Sequence, residues 1–209
     1  MATQEMSEWQ QRGQIFLPAL QQQSNAIALR REKLAKLTPA TFLAKYNATC
    51  GAVFVERGYT CGQLALRDDV PTLADVREKF GSETVSSWLS LMILKSEETG
   101  ALCLSTDARN STELRRETAQ MIWVHCKDLN LAEIAMFFQR FATGYYEEAC
   151  RENHGAMKLY VALRAFSAAR TADVRRLERE RATRDYLAAV SERNERAISY
   201  EEYKKSLEK

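Results

Sequence analysis

NLAEIAMFFQRFATG, residues 130–144, carries the signals of one complete helix. Asn130 and Glu133 have the spacing of a capping box, in which each side chain accepts a hydrogen bond from the other residue's backbone amide. Apolar residues then recur at helical spacing, at Leu131, Ile134, Phe138 and Phe141. Gly144 follows and can adopt the left-handed conformation that ends a helix. The stretch therefore predicts a helix with one buried face.

The segments before this stretch show similar signals. Thr72 and Asp75 form a second capping box, and Gly81 ends the helix that it opens. Ser82 then caps a helix that runs to about residue 98. Its apolar face is wide enough to predict the central helix of the core, with Val85, Trp88, Leu89 and Met92 on one side. Farther upstream, residues 15–37 form an amphipathic helix, and the Thr38-Pro39 pair starts a short one.

Composition agrees with a helical fold. The chain has 209 residues, of which 45% are hydrophobic and 28% charged, so it can bury a real core. Three prolines and eight glycines supply too few turns for an all-β fold. We predict an all-α protein, a compact orthogonal helical bundle with an extended charged C-terminal helical arm. Residues 48–70 fit two alternatives, a short β-hairpin near 52–66 or two short helices.

The apolar pattern divides the chain into three parts. Residues 1–14 are expected to be a flexible N-terminus, and residues 15–177 the helical core domain. The apolar stripe of the last long helix stops at Leu177, and the next eight residues, ERERATRD, contain only Ala182 as an apolar residue. Residues 178–209 are therefore predicted to form a charged helical arm, in which Tyr186, Leu187 and Val190 restore a small apolar patch.

Cysteine usage and the N-terminus indicate a compartment. Five cysteines are an odd number in a chain that can fold without disulfides, so reduced thiols in the cytoplasm are expected. The N-terminal MATQEMSEWQQRGQ has neither the basic start nor the apolar core of a signal peptide. The longest apolar runs are too short for a membrane span of about 20 residues. We expect a cytoplasmic protein without a membrane partner.

Motifs for catalysis are missing from the sequence. It has no G-x-S-x-G elbow and no phosphate-binding glycine loop. His125-Cys126 and Cys150-x-x-x-His154 supply zinc ligand types, but the helical spacing of the first pair separates the two side chains by about 100°. We therefore assign no catalytic, cofactor-binding or metal-binding residue, expect no cofactor, and predict that the protein is not an enzyme.

Residues 73–89, LADVREKFGSETVSSWL, resemble a helix-turn-helix of DNA-binding regulators. Two features depart from that motif. Arg77 stands where a small residue lets the two helices approach, and the second helix continues as the apolar run Leu91–Leu94, whereas a groove-reading helix needs polar and basic side chains. A pair of core helices explains the pattern better.

Two sets of residues are candidates for binding. The net charge is +2, but residues 164–184 contain seven arginines, and the nucleic-acid candidates among them are Arg170, Arg175, Arg176, Arg179 and Arg184. The interleaved acids favour a self-neutralised, solvated helix instead. The second set is an aromatic cluster where the 131–143 helix ends, and its possible partner-binding residues are Phe141, Tyr145 and Tyr146. Tyr145 and Tyr146 are expected to be exposed.

Two segments carry a family resemblance: PTLADVREKFG at 71–81, with the apolar helix after it, and LNLAEIAMFFQRFATGYYEEAC at 129–150. The chain resembles an uncharacterised bacterial family, a domain of unknown function common in gut anaerobes and often carried by mobile elements or prophages. Phe137, Phe138, Gly144 and Tyr145 match its second segment, and Tyr146 stands where a glycine is expected. The resemblance implies a mobile-element accessory protein acting in DNA replication or its control.

The sequence thus supports two functions. The first is a non-enzymatic α-helical interaction or accessory protein, which binds a protein partner or a second copy of itself through the aromatic cluster and the arm. The alternative is a nucleic-acid-binding accessory factor in DNA replication or its regulation, using the arginines of the last helix.

Overall fold

The chain is all-α throughout the residues that the computed structural model describes, which are residue 21 and residues 24–47, 50–105 and 107–196. The helices are α1 (residues 24–35), α2 (Pro39–Lys45), α3 (Cys50–Glu56), α4 (Cys61–Ala65), α5 (Leu73–Phe80), α6 (Ser82–Glu98), α7 (Ala108–Cys126), α8 (Leu131–Ala142), α9 (Glu147–Cys150) and α10 (Gly155–Arg196). The predicted flexible N-terminus at 1–14 and the last part of the arm, 197–209, lie outside the described residues.

Helix α8 lies at the centre of the bundle. Nine of its twelve residues are buried, because α3, α4, α6 and α10 pack around it. The prediction that α6 is the central helix is wrong. Leu91 on α6 remains largely exposed, whereas Ala132, Ala135 and Met136 of α8 are buried beside its predicted apolar face. Small and flexible apolar side chains on its second face allow α8 to be enclosed by its neighbours.

The two predicted capping boxes are confirmed, and they lie side by side. The side chain of Thr72 accepts from the amide of Asp75 at 3.1 Å, and that of Asn130 from the amide of Glu133 at 3.0 Å. The segments that precede α5 and α8 run antiparallel. The amide of Leu131 donates to the carbonyl of Pro71 at 2.9 Å. The N-termini of α5 and α8 are thereby fixed to each other.

Residues 52–66 do not form the β-hairpin that was one prediction for this segment; the alternative of two short helices is confirmed as α3 and α4. A capping box between Thr60 and Gln63 starts α4. Helix α3 lies against the backbone of α8, where a Cβ added to Gly51 would come within 2.1 Å of the carbonyl oxygen of Ala135. The helical conformation is favoured here because both segments gain tertiary packing that outweighs their weak strand pattern.

Helix α10 extends from the core into solvent. Its 42 residues span about 63 Å. Leu159, Leu163 and Phe166 are buried against the bundle. From 178 to 195 every residue is exposed except Val190, which is partly buried. The predicted helical arm is therefore present up to residue 196. In the described part of the chain, none of the helices is both long and apolar enough to cross a membrane.

Candidate nucleic-acid interface

The first half of α10 is held to the core by a buried ion pair. Arg170 donates from Nε to the carboxylate of Glu133, which is 1% exposed. The second carboxylate oxygen of Glu133 accepts from the amide of Asn130 at 2.9 Å. The side-chain amide of Asn130 in turn donates to the carbonyl of Leu64 at 2.7 Å. The guanidinium of Arg170, a residue predicted to bind nucleic acid, is therefore engaged in an ion pair with the core.

The capping carboxylate of α5 has a matching partner. Oδ2 of Asp75 accepts from the amide of Thr72 at 2.9 Å and from Nε of Arg30 on α1 at 2.8 Å. Asp75 and Glu133 both line a polar cleft of about 440 Å³ between α1, α5, α8 and α10. Each carboxylate caps a helix and binds an arginine, so the two ion pairs connect α1 and α10 to the bundle. No pattern in the sequence predicts these ion pairs.

Helix α10 also contacts the start of α4. Oδ2 of Asp173 accepts from the amide of Gly62 at 2.7 Å. Burial raises the pKa of Asp173, but hydrogen bonds from Thr60, Arg176 and the Gly62 amide outweigh it, and the pKa lies below its ordinary value. Arg176 pairs with Asp173 and, at 2.7 Å, with Glu180. Arg176 is thus engaged along its own helix.

A different set of arginines shares one outward direction. An α-helix turns by about 100° per residue, so the side chains of Arg164, Arg175 and Arg193 point within about 20° of one another, and Arg179 lies about 40° to one side. All four are exposed and point away from Leu159 and Phe166, which face the core. We call this set, together with Tyr186, the arginine stripe. It extends about 44 Å along α10.

The acids of α10 lie away from the arginine stripe. Each of the six between 155 and 196 is at least about 60° from the direction of Arg175: Asp173, Glu178, Glu180, Asp185, Glu192 and Glu195. Within the described residues, no salt bridge engages the four arginines of the stripe. Arg184 points to the opposite side, about 180° from Arg175. Glu178 has the same three-residue spacing to Arg175 that joins Asp173 to Arg176, but no salt bridge forms between Arg175 and Glu178, and the other five acids lie at least about 80° from the direction of Arg175.

The remaining side chains of the stripe are small or flat. Ala168 and Ala182 lie between the arginines, and Tyr186 is 68% exposed. Of the five predicted nucleic-acid arginines, Arg175 and Arg179 belong to the stripe. Arg164 and Arg193 were not among those five. Their separations from Arg175, 11 and 18 residues, are close to whole numbers of helical turns and carry the signal that identifies them.

The prediction that Tyr146 is exposed is wrong, and of the three candidate partner-binding residues Tyr145 alone is exposed. Tyr145 is 67% exposed, with the guanidinium of Arg140 5.0 Å from its ring centroid. Tyr146 is buried, with its ring centroid 5.7 Å from that of Phe137, and burial raises its pKa. Phe141 is buried in the core, as expected for the apolar face of α8. The rings of the two tyrosines contact each other edge to face, with their centroids 5.0 Å apart, and Tyr145 remains at the surface.

No group of three or more histidine, cysteine, aspartate and glutamate side chains in the described ranges is arranged to hold a metal ion. The five cysteines are unpaired thiols. Comparison of the chain with protein-family models, with curated proteins and with solved structures found no match. The geometry of the arginine stripe is therefore the basis for a functional proposal.

Proposed function

We propose that this protein is a non-enzymatic accessory protein that binds nucleic acid through the arginine stripe of α10. The observation that carries the proposal is the shared outward direction of four exposed arginines, none of which forms a salt bridge within the described residues. A row of guanidiniums that form no salt bridge in the described part of the chain attracts a phosphate backbone. In a self-neutralised helix, each arginine would form an ion pair with an acid three or four residues away, as Arg176 does with Asp173 and Glu180.

The stripe also has the shape that backbone binding requires. Alanines between the arginines let a strand approach the helix closely, and Tyr186 offers a flat ring on which an unpaired base can stack. The stripe continues from the core onto the arm, so the bound strand would lie along both. The combination of arginines and an exposed tyrosine favours single-stranded DNA, whose bases are accessible, as the ligand.

Fluorescence anisotropy with a labelled 30-nucleotide single strand tests the proposal. Four phosphate contacts released by salt predict a slope of log K against log salt of about −3, from roughly −0.7 for each contact with a single strand. The double variant Arg175→Gln/Arg179→Gln removes two contacts. We expect its slope to fall to about half and its affinity at low salt to drop by at least tenfold.

The matched control is Arg181→Gln. Arg181 lies on the same helix, is equally exposed, and points about 120° away from Arg175 toward Asp185. The control should bind DNA as the unaltered protein does. The proposal is refuted if micromolar protein shows no salt-sensitive binding, or if the double variant and the control lose affinity equally.

A second candidate function is self-association through the arm. Leu187 is 59% exposed and Val190 lies one turn away on the side next to the stripe. Residues 178–196 contain five arginines and five acids, so two arms do not repel each other through net charge. Light scattering tests this function. A mass that stays monomeric over a hundredfold range of concentration, in the full chain and in one truncated after Leu177, would exclude it.

The cellular setting of the proposal comes from the sequence. Five unpaired cysteines, three of them buried, suit a reducing cytoplasm. The resemblance to a mobile-element family suggests a role in DNA replication or its control, for which binding of single-stranded DNA would be a fitting activity.

A further inference from the structure

A second cavity, separate from the arginine stripe, lies among α1, α2, α3 and the loop before α5. Its volume is about 430 Å³, within the range of small-molecule sites. Its walls are mostly apolar and include Leu37, Tyr46, Phe54 and Ala132. Ala132 belongs to the central helix α8, so the cavity reaches inward to the core.

The aromatic wall is held in place from behind. The backbone carbonyl of Tyr46 accepts a hydrogen bond from the indole of the fully buried Trp88. The ring of Tyr46 lies 5.3 Å from that of Phe42, and the ring of Phe54 packs edge-on against Tyr59 at 6.1 Å. These contacts fix both rings before any ligand arrives, which lowers the entropic cost of binding.

The rim of the cavity is electropositive. Four cations line it, Lys33, Lys36, Lys45 and Arg67, against one acid, Asp69. Arg67 binds Asp69 through two hydrogen bonds of 2.9 and 3.0 Å, and Lys33 binds the same carboxylate at 3.0 Å, so two cations share one negative charge.

The two other lysines of the rim differ in their partners. Lys36 pairs with Glu32 at 2.7 Å. The ammonium of Lys45 lies 5.5 Å from the ring centroid of Tyr46, and no acid in the described part of the chain pairs with it. The uncompensated positive charge of Lys45 thus lies next to the ring of Tyr46.

We propose that this cavity binds a small organic anion with an aromatic ring, of the nucleoside phosphate class. The ring lies against Tyr46 and Phe54, and the phosphate binds Lys45 and the half-neutralised pair of Lys33 and Arg67. Charge and shape together exclude the simpler ligands. Inorganic phosphate leaves the apolar wall uncovered, and an uncharged aromatic ring leaves Lys45 without a negatively charged partner.

Isothermal titration with ADP, adenosine and inorganic phosphate tests the proposal on the full chain. We expect ADP to bind, and both adenosine and phosphate to bind at least tenfold more weakly. Lys45→Ala should weaken ADP binding about tenfold without changing the thermal unfolding temperature. Phe54→Leu, which keeps an apolar side chain in place, should weaken binding of ADP but not of phosphate.

The matched control is Lys95→Ala on α6, whose ammonium pairs with Glu98 on the surface. It should bind ADP as the unaltered protein does. The proposal is overturned if millimolar ADP gives no heat of binding, if adenosine binds as tightly as ADP, or if Lys45→Ala and Lys95→Ala have equal affinity. The double variant Arg175→Gln/Arg179→Gln should leave ADP binding unchanged, which separates this cavity from the arginine stripe.

Discussion

Arg170 on α10 donates a hydrogen bond to Glu133, the residue that completes the cap of α8. The carboxylate of Glu133 therefore makes two contacts. It accepts a hydrogen bond at the N-terminus of its own helix and another from Arg170 on α10, much later in the chain. Asp75 repeats the arrangement with Arg30 from α1. Two adjacent caps thus connect the first and last described helices to the centre of the bundle.

Removal of Arg170 should destabilise the protein strongly. Arg170→Ala leaves the carboxylate of Glu133, 1% exposed, without its cation, and breaking such a pair costs about 3–5 kcal/mol. The guanidinium of Arg170 is itself partly exposed, so a loss of about 3 kcal/mol is expected. Urea unfolding followed by circular dichroism measures it. Arg164→Ala, an exposed arginine on the same helix, should change stability by less than about 0.5 kcal/mol. Equal losses for the two variants would contradict this role of the ion pair.

Gly51→Ala should also destabilise the fold, although alanine is the better helix former. In a free helix this change stabilises by about 0.5–1 kcal/mol. Here the added Cβ would lie 2.1 Å from the backbone oxygen of Ala135, which cannot move without displacing α8. We expect a loss of at least about 1–3 kcal/mol, typical of overpacking. Val53→Ala on the same helix, where the side chain is largely exposed, is the control for a general effect on α3. A gain in stability for Gly51→Ala would show that α3 can shift freely.

The sequence predicts what depends on near neighbours along the chain. Capping boxes join residues three apart, so Thr72 with Asp75 and Asn130 with Glu133 are visible as patterns. The arginines that pair with these two carboxylates are not visible as sequence patterns. Arg30 lies 45 residues from Asp75, and no local pattern selects it from 30 lysines and arginines.

The candidate site likewise has features that the sequence predicts and features that depend on the folded structure. The arginines of α10 are evident in the sequence, but the shared direction of four of them depends on one unbroken helix over residues 155–196, which fixes the angle of every side chain. Tyr145 and Tyr146 show the opposite case. Two identical neighbours differ in exposure because a turn, which composition does not specify, sends one ring toward Phe137.

Tyr186 should distinguish single-stranded from double-stranded DNA, if the proposed function is correct. A tyrosine ring stacks on an unpaired base, a contact worth about 1–3 kcal/mol, but finds no free base face in a duplex. Tyr186→Ala should therefore weaken single-strand binding about fivefold or more and leave duplex binding nearly unchanged. Anisotropy with matched 30-nucleotide and 30-base-pair probes measures both. Tyr145 is equally exposed but lies on the surface of the core domain, so Tyr145→Ala should alter binding to neither probe. Equal losses on both probes would assign Tyr186 a contact to the backbone instead of a base.

Thiol reactivity should identify Cys103 as the single fast cysteine of the native protein. Cys103 is exposed, whereas Cys61, Cys126 and Cys150 are buried. Burial raises the pKa of Cys50 to about 11 and that of Cys126 to about 12. A raised pKa means a smaller thiolate fraction at pH 8, and the greater nucleophilicity of the more basic thiolate offsets only about half of that loss on a logarithmic scale.

The reaction with a disulfide reagent such as DTNB at pH 8 should therefore show one rapid equivalent, with the others at least about tenfold slower. Cys103→Ser should abolish the rapid phase, and all five thiols should react at one rate in urea. A second rapid equivalent that persists in Cys103→Ser would contradict this assignment and would mean that the partly buried Cys50 is accessible or that a helix covering a buried thiol opens readily in the native state.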